Sequence, residues 1–119
     1  MKITLNHYKR FEKQIILKKI GIKGQKKILS SNVLVIGMGG LGCPLVTYLA
    51  SSGVGKIGIV DFDKVEISNL NRQMLFGVND IGKFKVDQVK KKIKNLNNKI
   101  KIISFKKKLT IKNIKKISK

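Results

Sequence analysis

Apolar positions along this chain switch between helical and strand-like spacing, and each switch marks a predicted element. Phe11, Ile15, Ile16 and Ile20 recur near helical spacing among lysines, predicting a helix over residues 8–20 that stops at Gly21. A glycine-punctuated turn runs from there to Gly24, and Gln25–Leu29 has room for one or two further helical turns. Asn32–Ile36 is short, β-branched and apolar in both phases, the pattern of a parallel strand covered on both faces. Pro44 suits the first turn of the next helix, which carries Leu45, Val46, Leu49 and Ala50 and ends at Gly53. Lys56–Asp61 reads as a second strand with an acid at its carboxyl end. Residues 62–82 are predicted to be irregular, with at most one short helical turn. Helical spacing returns over Lys83–Leu96 through Val86, Val89 and Ile93. Lys99–Phe105 is a third strand, and Thr110 is the candidate cap of a last helix through Ile111, Ile114 and Ile117.

The order βαβαβα predicts an α/β fold, a Rossmann-like, three-layer parallel sheet with right-handed crossovers, preceded by N-terminal helices. At 119 residues the chain suits one domain, and its 42% apolar content excludes intrinsic disorder. Lysines interrupt every apolar run well short of the roughly 18 residues that a membrane-spanning helix needs. Met1–Asn6 lacks the apolar core of a secretory signal. The one cysteine, Cys43, forms no internal disulfide and no cysteine-based zinc site. No membrane partner is expected.

Charge changes the picture less than its size suggests. Lys and Arg total 27 against six acids, a formal +21, which normally points to nucleic acid or an anionic surface. Only Arg10 and Arg72 are arginines, however, and the chain also holds 18 isoleucines and nine asparagines. Lys, Ile and Asn share AT-rich codons, so an AT-biased genome accounts for the excess. Dedicated nucleic-acid readers rely on arginine forks and stacking aromatics, which are scarce here. The lysines therefore read as solvated faces, with no nucleic-acid partner expected, and the two arginines stand out. The bias suggests the cytoplasm of a reduced bacterium or a plastid stroma.

Candidate chemistry begins after the first strand. Gly37-x-Gly39-x-x-Gly42 follows a strand and opens a helix, where glycines let the backbone approach phosphate and the helix start offers free N–H groups. Asp61 lies 19 residues past Gly42 at the end of the second strand, placed to accept hydrogen bonds from ribose hydroxyls. The plainer reading is a tight turn with a capping aspartate. Strand, glycines, helix and acid together favour nucleotide binding, without separating NAD from ATP.

The stretch Asp61-Phe62-Asp63-Lys64-Val65-Glu66-Ile67-Ser68-Asn69-Leu70-Asn71-Arg72-Gln73 makes that separation, because it resembles the adenylating family that includes ThiF, MoeB and the ubiquitin-activating enzymes. Arg10-Phe11-Glu12-Lys13-Gln14 and Gly21-x-x-Gly24-Gln25 are similar to that family's entry helix and its G-x-x-G-Q turn. Gly39-Gly40-Leu41-Gly42-Cys43-Pro44 is similar to its phosphate loop, Gly53-Val54-Gly55 to the turn before its second strand, and Ile81-Gly82-Lys83-Phe84-Lys85 to its I-G-x-x-K. The resemblance divides the chain into an N-terminal helical segment, 1–30, and the N-terminal half of a nucleotide-binding domain, 31–119.

The resemblance implies ATP-dependent adenylation of the C-terminal glycine of a ubiquitin-like sulfur-carrier protein. Two anionic reactants must meet, so catalysis is expected to rest on positioning and fixed positive charge. Gly37, Gly39, Gly40 and Gly42 would line the nucleotide, with amides between Met38 and Leu41 on the polyphosphate. Asp61 would bind the ribose, Asn69, Arg72 and Lys85 would contact the triphosphate, and Asp63 would help shape the site. For Arg72 the alternative is a surface ion pair with Asp61 or Asp63. The family's entry-helix arginine, which commonly reaches phosphate from the other subunit of a dimer, aligns with Lys13; lysine keeps the charge and loses the bidentate fork.

A homodimer or a complementing second chain is the implied assembly. The family aspartate that helps hold Mg²⁺ is expected beyond Lys119, as is the carrier-binding surface, so residues 33–36 are expected to form an exposed apolar edge. Three other readings stay open: a noncatalytic subunit or remnant, an NAD-dependent Rossmann protein, and a basic nucleic-acid binder. His7 reads as merely exposed, and Cys43 as a packing residue. Phe62, Phe76, Phe84 and Phe105 read as core or subunit contacts.

Overall fold

The computed structural model describes residues 1–118. Three parallel strands lie in the order β1-β2-β3, with β1 at Asn32–Ile36, β2 at Lys56–Val60 and β3 at Lys101–Phe105. Their register pairs Val33 with Ile57 and Ile102, and Leu34 with Gly58 and Ile103. The crossover helices α3, Gly42–Ser52, and α4, Lys85–Leu96, cover one face. There Val35, Ile57, Ile59 and Ile102 meet Val46, Ala50, Val86, Val89 and Ile93 in one buried cluster. Each fully buried aliphatic side chain in it stabilises the fold by roughly 1.5–3 kcal/mol. The other face carries the short helix α5, Ile114–Ile117, through the buried Ile117. β1 is an edge strand, and its exposure is graded: Val35 is buried while Ile36 is 55% exposed.

The α/β architecture is the one the apolar spacing predicts, and its helical entry and its long crossover depart from that spacing. Residues 8–20 are not one helix. Helix α1 spans Leu5–Ile15 and α2 spans Gly21–Leu29. Thr4 starts α1 earlier than the pattern suggests, because Thr4 Oγ1 accepts from the His7 amide and His7 Nδ1 accepts from the Thr4 amide. His7 is thus a half-buried capping residue rather than a merely exposed one. Ile16 stays largely exposed outside the helix, and Gly21 opens α2 at φ +58° instead of closing α1. Residues 62–82 hold two 3₁₀ turns, Ile67–Asn69 and Val78–Asp80, where at most one was expected. Lys92 of α4 fixes the second turn, reaching Asp80 at 2.5 Å and the Leu75 carbonyl.

Candidate phosphate-loop cleft

The loop from β1 into α3 leaves a run of backbone donors without a protein partner. Leu41, at the N-cap position of α3, gives no side-chain cap. Among the described residues the amides of Gly39, Gly40, Leu41 and Gly42 donate to no protein acceptor, whereas the Cys43 amide donates to the Gly39 carbonyl at 3.1 Å. Free N–H groups at the positive end of an 11-residue helix form a site for an anion. The loop closes this tightly because position 42 is glycine: a Cβ there would stand 1.8 Å from the Gly37 carbonyl oxygen.

Asp61, just past β2, ties this loop to the next one. Its Oδ2 accepts from the Met38 amide at 2.7 Å and its Oδ1 from the Asp63 amide at 2.7 Å. The Met38 amide is therefore not among the free donors of the loop, which begin at Gly39; the expectation that included it is corrected. A carboxylate has about four acceptor positions, so Asp61 keeps two for a ligand hydroxyl. Asp63 is exposed and bridges through its backbone, its carbonyl accepting from the Lys85 amide at 3.0 Å.

Arg72 lies along the loop, and Lys85 stands at the start of α4. Arg72 runs its stem along Gly40, with Cγ and Cδ 3.6 Å from where a Cβ would stand. Its Nη1 donates to the Ser68 carbonyl at 3.0 Å and to Asn71 Oδ1 at 2.9 Å. It makes no ion pair with Asp61 or Asp63; the ion pairs among the described residues are Lys92–Asp80 and Lys106–Asp87. Lys85, the first residue of α4, is buried, and its ammonium has no hydrogen-bond or ion-pair partner among the described residues. Burial pushes the Cys43 thiol up to about 11, with Lys85 and Lys92 pulling it down and Asp61 pushing it up. A thiol held that high stays protonated at neutral pH, and it donates to the Met38 carbonyl at 3.4 Å.

Asn69 is buried and spends Oδ1 on the Glu66 amide at 2.8 Å, holding its own turn. Not every expected residue lies at this cleft. Lys13 is exposed on α1, and α1 packs on the far end of α3: Gln14 Nε2 donates to the Ser52 carbonyl at 3.0 Å, and Phe11 lies against Gly53. The length of α3, about 15 Å, separates that end from the loop, beyond the reach of a lysine side chain. The R-F-E-K-Q and G-x-x-G-Q segments instead meet each other there, with Gln14 Nε2 on Gln25 Oε1 at 2.8 Å and Gln25 Nε2 on the Ser52 carbonyl at 3.0 Å.

Sequence reasoning missed part of the cleft wall. Gly37 and Asp61 share a cavity of about 200 Å³ with Ile36, Phe62, Lys107 and Leu109. Phe62 is 53% exposed, so it belongs to this wall and not to the core. Phe76 is a core residue, and Phe84 is half-buried between the ammonium groups of Lys64 and Lys106, 5.1 and 4.8 Å from its ring centre. Phe62 adjoins Asp61 in sequence and was legible on that ground; Lys107 had no signal within a lysine-rich background. A larger cavity, about 710 Å³, lies elsewhere, between α1 and the α4–β3 connection, with Arg10, Asn97 and Lys99 in its wall and no phosphate-loop residue.

The ThiF family model matches residues 11–119. Over 103 residues the chain is 47% identical to the adenylyltransferase and sulfurtransferase MOCS3 of Aedes aegypti, covering 87% of this chain and 24% of that protein. Over 94 residues it is 51% identical to a Porphyra purpurea protein named "Probable molybdopterin-synthase adenylyltransferase", covering 79% of this chain and 25% of that one. The chain thus spans about a quarter of the length of these relatives. Among solved structures, the Escherichia coli tRNA N6-threonylcarbamoyladenosine dehydratase TcdA in complex with ATP superposes with a TM-score of 0.89 at 25% identity, covering 98% of this chain and 47% of that one. E. coli MccB with ATP superposes with a TM-score of 0.75 at 32% identity, covering 78% of this chain and 28% of that one.

Proposed function

The chain belongs to the ThiF family, and from that premise we propose that it is the ATP-binding portion of an enzyme that adenylates the C-terminal glycine of a ubiquitin-like sulfur carrier. The carrier's carboxylate oxygen attacks the α-phosphorus of ATP, the bond to the bridging oxygen breaks, and pyrophosphate leaves. The observation that carries this reading is the run of unpartnered amides from Gly39 to Gly42, with the Arg72 stem along Gly40; Lys85, at the start of α4, is the second cation that the reading assigns to the phosphates. Fixed donors and cations of this kind stabilise charge that grows on a departing pyrophosphate without reorganising during the reaction. Asp61 keeps two acceptor positions for the ribose hydroxyls, and the Phe62 and Leu109 walls flank the base.

Among the described residues no group of three or more His, Cys, Asp or Glu side chains could hold a metal ion. A magnesium ion carried on the triphosphate would need only one or two carboxylates, and the family resemblance assigns that role to an aspartate that is not among these residues. Lys13 serves a phosphate only from a second copy or a companion chain, because its own helix sits at the opposite end of α3. No helix of the described residues is long and apolar enough to cross a membrane. The lysine-rich, AT-type composition and the Porphyra relative support a plastid stroma or a bacterial cytoplasm as the location.

The test is nucleotide choice followed by exchange. ATP should raise the melting temperature of the 119-residue chain more than NAD does, and a preference for NAD overturns the reading. Pyrophosphate exchange into ATP, dependent on a carrier ending in Gly-Gly, should be slight for residues 1–119 alone. It should appear once the missing metal ligand is supplied on a longer polypeptide or a second chain. No exchange under those conditions overturns the adenylation.

A further inference from the structure

We propose that Gln73 is a further residue of the nucleotide site, one that serves the polyphosphate and whose carbonyl finds a donor only when the anion and its ordered water are in place. The inference rests on the ATP reading above. Gln73 is 3% exposed, and its backbone is fully used: its amide donates to the Asn69 carbonyl at 2.8 Å, and its carbonyl accepts from the Phe76 amide at 3.1 Å. Its side chain is not. Among the described residues, Gln73 Oε1 is the one buried side-chain nitrogen or oxygen without a hydrogen-bond partner.

The other buried polar side chains show what a structural role looks like. Gln25 binds Gln14 and the Ser52 carbonyl, Asn97 binds the Ala50 carbonyl, and Asp80 binds Lys92 and the Gly77 amide. A buried acceptor left unpaired costs stability, and such exceptions in folded proteins mark places where something else completes the site. The direction of the Gln73 carboxamide says what. Its Nε2 lies 3.9 Å from where a Cβ on Gly39 would stand, and nothing else comes within 4 Å of that point. The Gln73 carboxamide therefore stands beside Gly39, the residue that carries the first unpartnered amide of the loop. Phosphate oxygens only accept, so Nε2 is the end that meets the anion beside the Gly39 amide. Oε1 needs a donor, which ordered water around a polyphosphate supplies.

The test separates this role from packing. Gln73→Met keeps the length of the side chain and removes its polar atoms; Gln73→Glu keeps the shape, removes the donor and adds a negative charge. ATP, inorganic triphosphate and adenosine are titrated into the 119-residue chain and both variants, followed by NMR chemical shifts, which read weak binding. Gln73→Met should weaken ATP and triphosphate about tenfold, leave adenosine unchanged, and melt in the unliganded state at the wild-type temperature or above it. Gln73→Glu should weaken triphosphate further, with the loss shrinking as salt rises. Two results overturn the proposal: a Met variant with a lower melting temperature and unchanged triphosphate affinity, or one that weakens adenosine as much as triphosphate. If the Met variant does not fold, equal triphosphate affinity in wild type and the Glu variant overturns it. Wild-type protein that binds neither ATP nor triphosphate refutes the underlying ATP reading itself, and this inference falls with it.

Discussion

The two ends of helix α3 are built from the same kinds of residue and finished in opposite ways. Each end has a glycine where a side chain could not fit: a Cβ on Gly42 would meet the Gly37 carbonyl at 1.8 Å, and one on Gly53 would meet Gln25 Nε2 and Phe11 at 2.8 Å. At the Gly53 end the carbonyls are closed by protein. Ser52 accepts from both Gln14 and Gln25, and Ala50 accepts from Asn97, so three separate elements complete one helix terminus. At the Gly42 end four amides donate to nothing in the protein, and the Arg72 stem, the Gln73 carboxamide and the Asp61 carboxylate stand around the loop. Helix ends leave about four backbone groups each without intrahelical partners, and a folded chain either covers them or uses them. The covered end is architecture, and under the proposed function the open end is where a ligand completes the helix.

The sharpest break of that contrast is at position 42. Gly42→Ala forces a Cβ into a backbone carbonyl, which only a shift of the loop relieves, and we expect a loss of at least about 3 kcal/mol together with nucleotide binding. Chemical denaturation and ATP titration read the two effects. A variant of wild-type stability would mean that the loop is looser than the contact implies. At the covered end, Gln25→Leu should cost about 2 kcal/mol through the lost hydrogen bonds to Gln14 and Ser52. ATP affinity of the folded fraction should not change. A Gln25→Leu protein that is stable but loses ATP would show that the two ends are not independent.

The sequence carried the open end better than the covered one, and the reason is physical. Glycine spacing after a β-branched run reports a backbone geometry directly, since few other residues fit where Gly37 takes φ +88° and Gly42 meets a carbonyl. The strands were equally plain, because Val33–Ile36 and Ile57–Val60 are apolar in both phases. Gln14 and Gln25 were visible as motif members, but nothing local shows that residues 11 apart in sequence converge on the end of a third helix. The break between α1 and α2 was hidden for a related reason. Ile15, Ile16 and Ile20 keep helical spacing straight through it, while only Ile15 of the three is buried. Lys107 shows the opposite difficulty, being one lysine among 25.

A smaller and more diagnostic effect is expected at Lys85, the cation that the proposed function assigns to the open end. The Lys85 side chain is largely buried, but its unpaired ammonium is not sealed from solvent, so it contributes little to the unliganded fold and Lys85→Met should leave stability nearly unchanged. The ATP dissociation constant should rise about tenfold. Melting curves with and without ATP separate the two: the unliganded curve stays in place, and the ATP-induced shift shrinks. Should the unliganded variant instead melt several degrees lower, Lys85 would belong with Gln25 among the structural residues, and the open end would lose one of its two cations.

The smallest effect concerns what holds the open end's crossover in position. Asn69–Gln73 reaches the phosphate loop from a segment whose far end is tied to α4 by Asp80, Lys92 and the Gly77 amide. Burial works against an ionised Asp80, but the Gly77 amide and the Lys92 ammonium outweigh it and hold the carboxyl below its ordinary 3.8. A carboxyl lowered by folding contributes stability that is complete above the unfolded value. That contribution is lost as pH falls through the folded value, because the unfolded chain takes up the proton first. Asp80→Asn should therefore cost about 1 kcal/mol near pH 7. The gap to wild type should begin to close once pH drops below 3.8 and continue closing until the folded carboxyl is itself protonated. Denaturant titrations at neutral and strongly acidic pH measure that gap. A gap that stays constant across the range would mean that Asp80 acts through shape rather than charge, leaving Lys92 and the Leu75 carbonyl to anchor the crossover.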